Sequence, residues 1–124
     1  MAETRDRDLA QAVRAELAAI DPPRTCCRAA ERIGLGAAAQ GRARSPVVAR
    51  LAVRLSEQER GAAEAGFDWP TARSHCRAAW LRGRFLADGS LSLGARGAHL
   101  EFVAAMDESA TLLRRLDEVG FKAS

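Results

Sequence analysis

Apolar residues in the first part of the chain recur at the spacing of a helix with one buried side. Between residues 8 and 20 they follow one another at intervals of three or four positions, which places them on a single stripe of an α-helix. The stripe consists of Leu9, Val13, Leu17 and Ile20. The pair Pro22-Pro23 then ends the segment, because proline has no amide hydrogen to donate to a continuing helix. The pattern predicts an amphipathic first helix.

Two further helices are indicated by a hydroxyl residue followed by a mixed apolar and polar run. Thr25 opens a run that extends to about Gln40, and Ser74 opens another that extends to Ala87. A hydroxyl at such a position can accept a hydrogen bond from an unpaired amide of the first turn. The sequence therefore predicts two helices over these runs, each with a side-chain cap.

The stretch between these two helices alternates instead. Over 47–55 every second residue is apolar, while the other side carries Arg50 and Arg54. Alternation with a period of two predicts a strand, here with one basic face. A Ser-x-x-Glu capping box that starts at Ser56 then predicts a short helix ending near Ala65.

Closer to the end of the sequence the chain alternates again, over two short stretches. Leu91 and Leu93 are separated by the turn 94–97 from Leu100 and Phe102. Two alternating runs joined by a glycine-containing turn predict a β-hairpin. Its other face would carry Ser90, Ser92, His99 and Glu101. Apolar residues at helical spacing then predict a last helix over 107–119.

An internal repeat relates the helix that begins at Thr25 to the helix that begins at Ser74. A shift of 49 positions superposes 25–41 on 74–90 and brings six identical residues together. They are Cys27 with Cys76, Arg28 with Arg77, Ala29 with Ala78, Ala30 with Ala79, Gly34 with Gly83, and Ala38 with Ala87. After an N-terminal helix within 1–24, the repeat predicts two helix-strand-strand-helix units, 25–67 and 74–124, related by a pseudo-twofold axis.

Length, composition and charge narrow the class of protein. The 124 residues suit one domain, and 48% hydrophobic residues with only 5% aromatic ones suit a core built from alanine and leucine. Of the 19 basic residues 18 are arginine, which forms forked contacts with phosphate and so favours a nucleic-acid partner. Three cysteines, a polar N-terminus and no long apolar run predict a cytoplasmic protein without membrane contact.

Two family resemblances rest on particular blocks of residues. Residues 81–89, Leu-Arg-Gly-Arg-Phe-Leu-Ala-Asp-Gly, keep five of the nine letters of the LAGLIDADG motif. The chain also resembles the N-terminal part of the WhiA family, bacterial regulators of sporulation and cell division with a degenerate LAGLIDADG domain. The blocks that carry this second similarity are 16–18, 26–31, 76–87 and 99–103. The helix-turn-helix domain of WhiA is not in this sequence, and both repeats are shorter than in either family.

The resemblance implies an α+β, LAGLIDADG homing-endonuclease-like fold, in which two motif helices pack at a central axis and the following strands form a saddle on DNA. Gly34, Gly83, Ala87 and Gly89 are the small residues that would allow such packing. The implied function is a non-catalytic domain for DNA binding or transcription regulation. The alternatives are a protein-interaction or dimerisation module, with a second copy or a regulatory protein as partner, and a metal-dependent nuclease.

Asp88 is the residue on which nuclease activity would depend. In LAGLIDADG nucleases the last acid of each motif helix holds a divalent metal against the scissile phosphate, and Asp88 matches that position. Ala39 takes the matching place in the first unit and has no oxygen ligand to offer. We therefore expect no enzyme activity and no cofactor, with Mg²⁺ bound only if nuclease activity survives. The alternative role of Asp88 is that of a turn residue before Gly89.

Four residues with soft ligand atoms lie at the starts of the two repeated helices: Cys26, Cys27, His75 and Cys76. Four such ligands suit zinc. Adjacent residues on a helix point about 100° apart, however, and the usual two-residue spacing between ligands is missing. The sequence therefore favours structural packing of these residues, since a buried cysteine behaves as a small hydrophobic residue.

Candidate DNA-binding residues lie on the strand faces that would not be buried against helices. They are Arg50 and Arg54 in the first unit, with Arg42 and Arg44 on the segment that leads into the strand, and Ser90, Ser92 and His99 in the second unit. Arginine would contact phosphate, whereas Glu101, on the same face as His99, would repel it. A solvated arginine face without a partner is the other interpretation of this pattern.

Overall fold

The computed structural model of the chain describes residues 2–36, 45–58, 67–94 and 97–121. Within these residues the chain is mostly helical, with five α-helices, one short 3₁₀ helix at Trp69–Thr71 and one two-stranded hairpin. The elements are α1 (Ala2–Ala19), α2 (Thr25–Leu35), α3 (Pro46–Gln58), α4 (Ser74–Asp88), β1 (Gly89–Gly94), β2 (Gly97–Phe102) and α5 (Met106–Glu118). The predicted combination of helices with a small antiparallel sheet is confirmed.

Four of the predicted helices, α1, α2, α4 and α5, form where the sequence placed them, but the caps of α2 and α4 differ. The residues before α2 and α4 are Arg24 and Arg73, and neither helix has a side-chain cap. Thr25 and Ser74 are instead the first helical residues, so their predicted capping role is wrong. α2 also ends earlier than expected, because Gly36 adopts a φ of 54° that a regular α-helix excludes.

The predicted strand over 47–55 is wrong, since these residues lie in α3. The buried positions of α3 are Val48, Leu51, Ala52 and Leu55, whose spacing of three, one and three is helical. The same stretch alternates by chance, and two of the apolar residues in that alternation, Ala49 and Val53, are exposed. Residues 56–58 end α3 rather than beginning a new helix, while 59–65 lie outside the described residues. The two repeated units therefore differ: in the first, a helix occupies residues assigned to a strand.

The hairpin and the last helix agree with the sequence. β1 and β2 pair antiparallel, with Leu91 opposite Leu100 and Ser90 opposite Glu101. α5 begins and ends within one residue of its predicted bounds. Leu91 and Phe102 pack against the core, so the face with Ser90 and Glu101 is directed to solvent. Residues 95 and 96 of the predicted turn are outside the described part of the chain.

Helices α2 and α4 run in the same direction and contact each other through their backbones. A Cβ atom at Gly34 would lie 2.1 Å from the carbonyl oxygen of Trp80, and one at Gly83 would lie 2.2 Å from that of Glu31. Each glycine thus faces the carbonyl three residues before the other glycine, as expected for helices related by a local twofold axis. The repeat shift of 49 positions relates the two contacts to each other.

A buried ion pair also joins these helices. Glu31 of α2 is fully buried, and both of its carboxylate oxygens accept hydrogen bonds of 3.0 Å from the guanidinium of Arg82 on α4. A two-pronged contact of this kind satisfies the charge of the carboxylate and fixes the position of the arginine. The pair has no counterpart under the repeat shift, which places Trp80 at the position of Glu31 and Arg82 at that of Ile33.

Apolar side chains form two clusters along the α2–α4 pair. The larger cluster joins α1, α3 and the C-terminal half of α4, with Leu35, Leu51 and Leu55 almost fully buried. The smaller one lies between the N-terminal halves of α2 and α4 around Cys27 and Cys76. None of the helices in the described residues is long and apolar enough to span a membrane.

Candidate functional site

Asp88, the residue at the position of a LAGLIDADG metal acid, is paired with an arginine. It ends α4, and its carboxylate accepts a hydrogen bond from the guanidinium of Arg84, one helical turn earlier. Arg84 also donates to the carbonyl oxygen of Val103 at 2.8 Å and lies 3.6 Å from a carboxylate oxygen of Glu108. The carboxylate is therefore neutralised by a fixed cation, which would compete with a metal ion. Ala39, at the matching place in the first unit, lies outside the described residues.

A groove of about 460 Å³ lies beside this ion pair, between the end of α2, the face of α4 and the start of α5. Ile33, Trp80 and Leu112 give it apolar walls, while Arg84 and Glu108 carry opposite charges at its edge. This mixture of charges does not favour a strongly anionic or a strongly cationic ligand.

The basic residues predicted to contact DNA have different surroundings in the structure. Arg50 lies on the exposed side of α3. Arg54, one turn later, donates 3.0 Å hydrogen bonds to the carbonyl oxygens of Ala18 and Ile20, and so caps the C-terminal end of α1. Arg42 and Arg44 lie outside the described residues.

The outer face of the hairpin carries the remaining candidates. Ser90 and His99 are exposed, as is Glu101, which pairs directly with Ser90. The backbone of Ser92 pairs with His99, and its side chain is outside the description. The hairpin follows α4 without a break, and the carbonyl oxygen of Gly89 accepts a 2.8 Å hydrogen bond from Arg14 of α1. This contact fixes the base of the hairpin to the helices.

The small residues of the motif lie in different surroundings. Gly34 and Gly83 form the closest contact between α2 and α4. Ala87 is buried in the larger apolar cluster. A Cβ atom at Gly89 would lie 2.3 Å from the ring of Phe85, so a glycine is required where α4 passes into β1.

The cysteine and histidine side chains at the starts of α2 and α4 converge. One ligand atom each from Cys26, Cys27, His75 and Cys76 lies within 4.8 Å of every other. The Nδ1 atom of His75 is 3.1 Å from Sγ of Cys27 and 3.4 Å from Sγ of Cys76. The expectation that the two pairs point too far apart to meet is wrong, because the parallel helices bring both N-terminal ends to one place.

The three thiols of this group differ in acidity. A hydrogen bond from Cys76 lowers the pKa of Cys26 below its ordinary value, against a smaller opposing effect of burial. Burial raises the pKa of Cys27, and burial together with the neighbouring Cys26 raises the pKa of Cys76 to about 12. Without a metal, Cys26 is therefore the thiol that ionises first. It is also the exposed one, whereas Cys27 and Cys76 are buried.

No family model, curated protein or solved structure matches this chain. The similarity to the LAGLIDADG and WhiA families therefore rests on the residues quoted above. The geometry of the hairpin, of Asp88 and of the cysteine and histidine group is the further basis for assigning a function.

Two partners of the candidate residues were not predicted from the sequence, although a signal for one of them exists. Arg84 and Asp88 have the spacing of four at which opposite charges pair on a helix. The Nη1 atom of Arg24 lies 2.9 Å from Nε2 of His75. The repeat shift aligns Cys26 with His75 and Cys27 with Cys76. If the two repeated helices are parallel, this alignment predicts that the four side chains converge.

Proposed function

We propose that this chain is a non-catalytic LAGLIDADG-like domain of the WhiA type, which binds DNA in transcription regulation. The observation that carries the proposal is the contact of Gly34 and Gly83 with each other's helices at equivalent positions of the repeat. The family resemblance implies such a pair of helices at the centre of the domain. The hairpin follows α4 directly in the chain, and in this proposal it takes the role of the DNA-contacting strands that the resemblance implies.

The surroundings of Asp88 support a role without catalysis. The carboxylate of Asp88 is paired through one oxygen with Arg84, and this cation would compete with a metal ion held for nuclease chemistry. The residue at the equivalent position, Ala39, has no carboxylate at all. A single chain therefore lacks the pair of acids through which LAGLIDADG nucleases hold their metal.

The DNA contacts that we propose come from α3 and the hairpin. Arg50 is exposed and provides a cation for a phosphate, while Ser90 and His99 provide hydrogen-bonding groups on the outer strand face. Glu101 on that face opposes close approach of a phosphate, which places the stronger phosphate contact on Arg50. Arg54 is excluded from this role, because two backbone carbonyls already accept its hydrogen bonds.

A titration with duplex DNA at two salt concentrations tests the proposal. We expect binding to weaken as salt rises, and Arg50→Ala to reduce the slope of log K against log salt by about one, as the loss of one phosphate contact should do. Arg114→Ala removes the same charge from an exposed position of α5 and serves as the matched control. Arg54→Ala should lower the melting temperature and leave the salt slope unchanged.

Two outcomes would contradict the DNA-binding proposal. The first is an affinity that does not change with salt, or no binding at all by a folded protein. The second is an equal effect of Arg50→Ala and Arg114→Ala, which would indicate a general effect of charge. Supercoiled DNA incubated with the protein and Mg²⁺ should stay intact, and nicking that is lost in Asp88→Ala would restore the nuclease hypothesis.

One observation favours the second function, a protein-interaction module. Val103 and Met106, between the hairpin and α5, have 70% and 94% of their surface exposed. Two large apolar residues so close together in the chain are a feature of protein contacts. If DNA binding fails, we expect the wild-type protein to associate in size-exclusion chromatography with light scattering, and Val103→Ser with Met106→Ser to abolish that association.

A further inference from the structure

We propose that Cys26, Cys27, His75 and Cys76 form a structural zinc site that joins the N-terminal ends of α2 and α4. The proposal rests on the convergence of four soft ligand atoms within 4.8 Å of one another. Zinc in structural sites takes four cysteine or histidine ligands in a tetrahedron, and a Cys₃His set is among its common ligand sets. Because all four ligands come from the protein, no position is left for a substrate, and the site is structural rather than catalytic.

Two of the distances between the ligand atoms are close to those of a tetrahedron around zinc. With Zn–S near 2.3 Å and Zn–N near 2.0 Å, neighbouring sulfur and nitrogen atoms lie about 3.6 Å apart. The two observed separations from Nδ1 of His75 are 3.1 Å to Cys27 and 3.4 Å to Cys76. These two pairs would have to separate by only a few tenths of an ångström, and the other pairs, all within 4.8 Å, would adjust to about 3.6–3.8 Å by side-chain rotation.

The helix ends make one electrostatic contribution that favours thiolates. Both helices direct their N-terminal ends toward the group, and the positive end of each helix dipole lies there. Neither helix has an acidic residue in its first turn or a side-chain cap that would already neutralise this charge. Thiolate ligands are also soft, and soft ligands select zinc over magnesium or calcium.

The packing around the group would keep water from the metal on one side. Cys27 and Cys76 are buried together with Ala30 and Ala79, and Trp80 packs against this cluster. Cys26 is exposed, so a metal ion can enter from solvent on the opposite side. A buried inner side and an open outer side let the ion reach its ligands without unfolding of the helices.

Zinc binding would require one rearrangement, at Arg24. Its guanidinium lies 2.9 Å from Nε2 of His75, and a guanidinium can only donate hydrogen bonds. When Nδ1 binds a metal, Nε2 of the neutral ring carries the proton and becomes a donor itself. Two donors repel each other, so Arg24 must turn away, and its exposure leaves room for that movement.

This site is distinct from the surface proposed for DNA. The cysteine and histidine group lies at the N-terminal end of α4, and the hairpin leaves the opposite end, about 20 Å away for a helix of this length. Zinc would therefore hold the helix pair together at a distance from the hairpin, and either proposal can fail while the other stands.

Metal analysis of the whole chain, purified under reducing conditions with a cleavable tag that contains no histidine, tests the site. We expect about one zinc ion per chain, removable by a strong chelator and restored by added Zn²⁺. Replacement by Co²⁺ should give the visible absorption of a tetrahedral ion and a sulfur-to-cobalt charge-transfer band. Both readouts depend on the ligand set and need no knowledge of DNA binding.

Two variants should separate ligation from folding. Cys26→Ser alters an exposed thiol and His75→Ala a half-buried ring, so the chain should still fold in both. We expect zinc affinity to fall more than 100-fold in each, because loss of an outer partner of a ligand alone costs roughly 10-fold to 100-fold. His99→Ala, which removes the other histidine, from the hairpin, should leave the affinity within about twofold.

Three results would overturn the zinc site. One is a reduced wild-type protein that takes up no zinc. The second is an affinity that Cys26→Ser and His75→Ala leave unchanged. The third is a cobalt-loaded protein without the sulfur charge-transfer band. In any of these cases the four side chains are packing residues, as the sequence first indicated.

Discussion

Arg28 and Arg77 occupy equivalent positions of the repeat and make the same kind of contact. Arg28 donates through Nε to the carbonyl oxygen of Pro22 at 2.8 Å, and Arg77 donates to that of Trp69 at 3.0 and 2.8 Å. In both cases a guanidinium on the first turns of a helix binds the backbone that leads into that helix. Local structure therefore explains why the repeat shares an arginine at this position.

The Glu31–Arg82 pair should behave as a buried ion pair rather than as a surface one. We expect Arg82→Leu to destabilise the protein by about 3–5 kcal/mol, because it leaves the fully buried carboxylate of Glu31 without a counter-charge. The double variant Glu31→Leu with Arg82→Leu should be more stable than Arg82→Leu alone. Urea unfolding followed by tryptophan fluorescence measures both, and a double variant at least as unstable as the single one would contradict the charge argument.

The close approach of α2 and α4 determines how much stability is lost when one of the contact glycines is replaced by alanine. Alanine is favoured over glycine by about 1 kcal/mol inside a helix, but a Cβ at Gly83 would lie 2.2 Å from a backbone oxygen. Since backbone cannot move aside as a side chain can, the clash dominates, and we expect Gly83→Ala to cost about 3 kcal/mol. Gly34→Ala should cost a similar amount, because its contact is equivalent.

The exposed side of the same helix provides the control for this prediction. Ala78→Met adds a larger side chain at an exposed position of α4 and should change the free energy of unfolding by less than about 0.5 kcal/mol. Equilibrium denaturation of the three variants gives the comparison. If Gly83→Ala is as stable as the wild-type protein, the helices are farther apart than the structure shows.

At the level of elements, the sequence predicted α1, α2, α4, the hairpin and α5, and failed at α3. In the correctly predicted elements the apolar residues fit only one period, and a residue signal marks a boundary, such as the prolines after α1. In 47–55 apolar residues are so dense that a period of two and a period of 3.6 both fit. Only tertiary packing decides, since the residues that reach the core are Val48, Leu51, Ala52 and Leu55.

For the whole molecule, the attachment of α5 depends on a small group of side chains. Leu112 and Leu116 are buried, and the guanidinium of Arg115 lies 5.0 Å from the ring centre of Trp69 and 4.6 Å from that of Trp80. Burial lowers the pKa of Arg115, as expected for a cation removed from water between two aromatic rings. The indole of Trp69 also donates a hydrogen bond to Glu118.

We therefore expect Arg115→Ala to loosen α5 more than the rest of the protein. Cation–π contacts contribute about 0.5–2 kcal/mol each, so amide exchange within Met106–Glu118 should accelerate roughly tenfold while α2 and α4 keep their protection. Arg114→Ala, at the exposed neighbouring position, should leave exchange almost unchanged. Equal effects of the two variants, or uniform acceleration over all helices, would show that Arg115 does not anchor α5.

The candidate sites were less predictable than the helices, and the reason is three-dimensional. Sequence spacing identified Cys26, Cys27, His75 and Cys76 as soft ligands, but their convergence depends on how α2 packs against α4. It also marked Arg50 and Arg54 as equivalent basic residues, whereas only the fold assigns Arg54 to the end of α1. The sequence shows the type of each residue directly, whereas the partner that the residue contacts depends on how the helices pack.

The direct backbone contact between α2 and α4 also limits how this sequence can diverge. A glycine codon becomes an alanine codon by a change of one base, and alanine is plentiful throughout this chain. Gly34 and Gly83 are nevertheless positions where that common replacement meets a carbonyl oxygen instead of a side chain. Genetic drift among descendants of this gene should therefore exchange small residues freely around the helix pair while these two sites stay glycine.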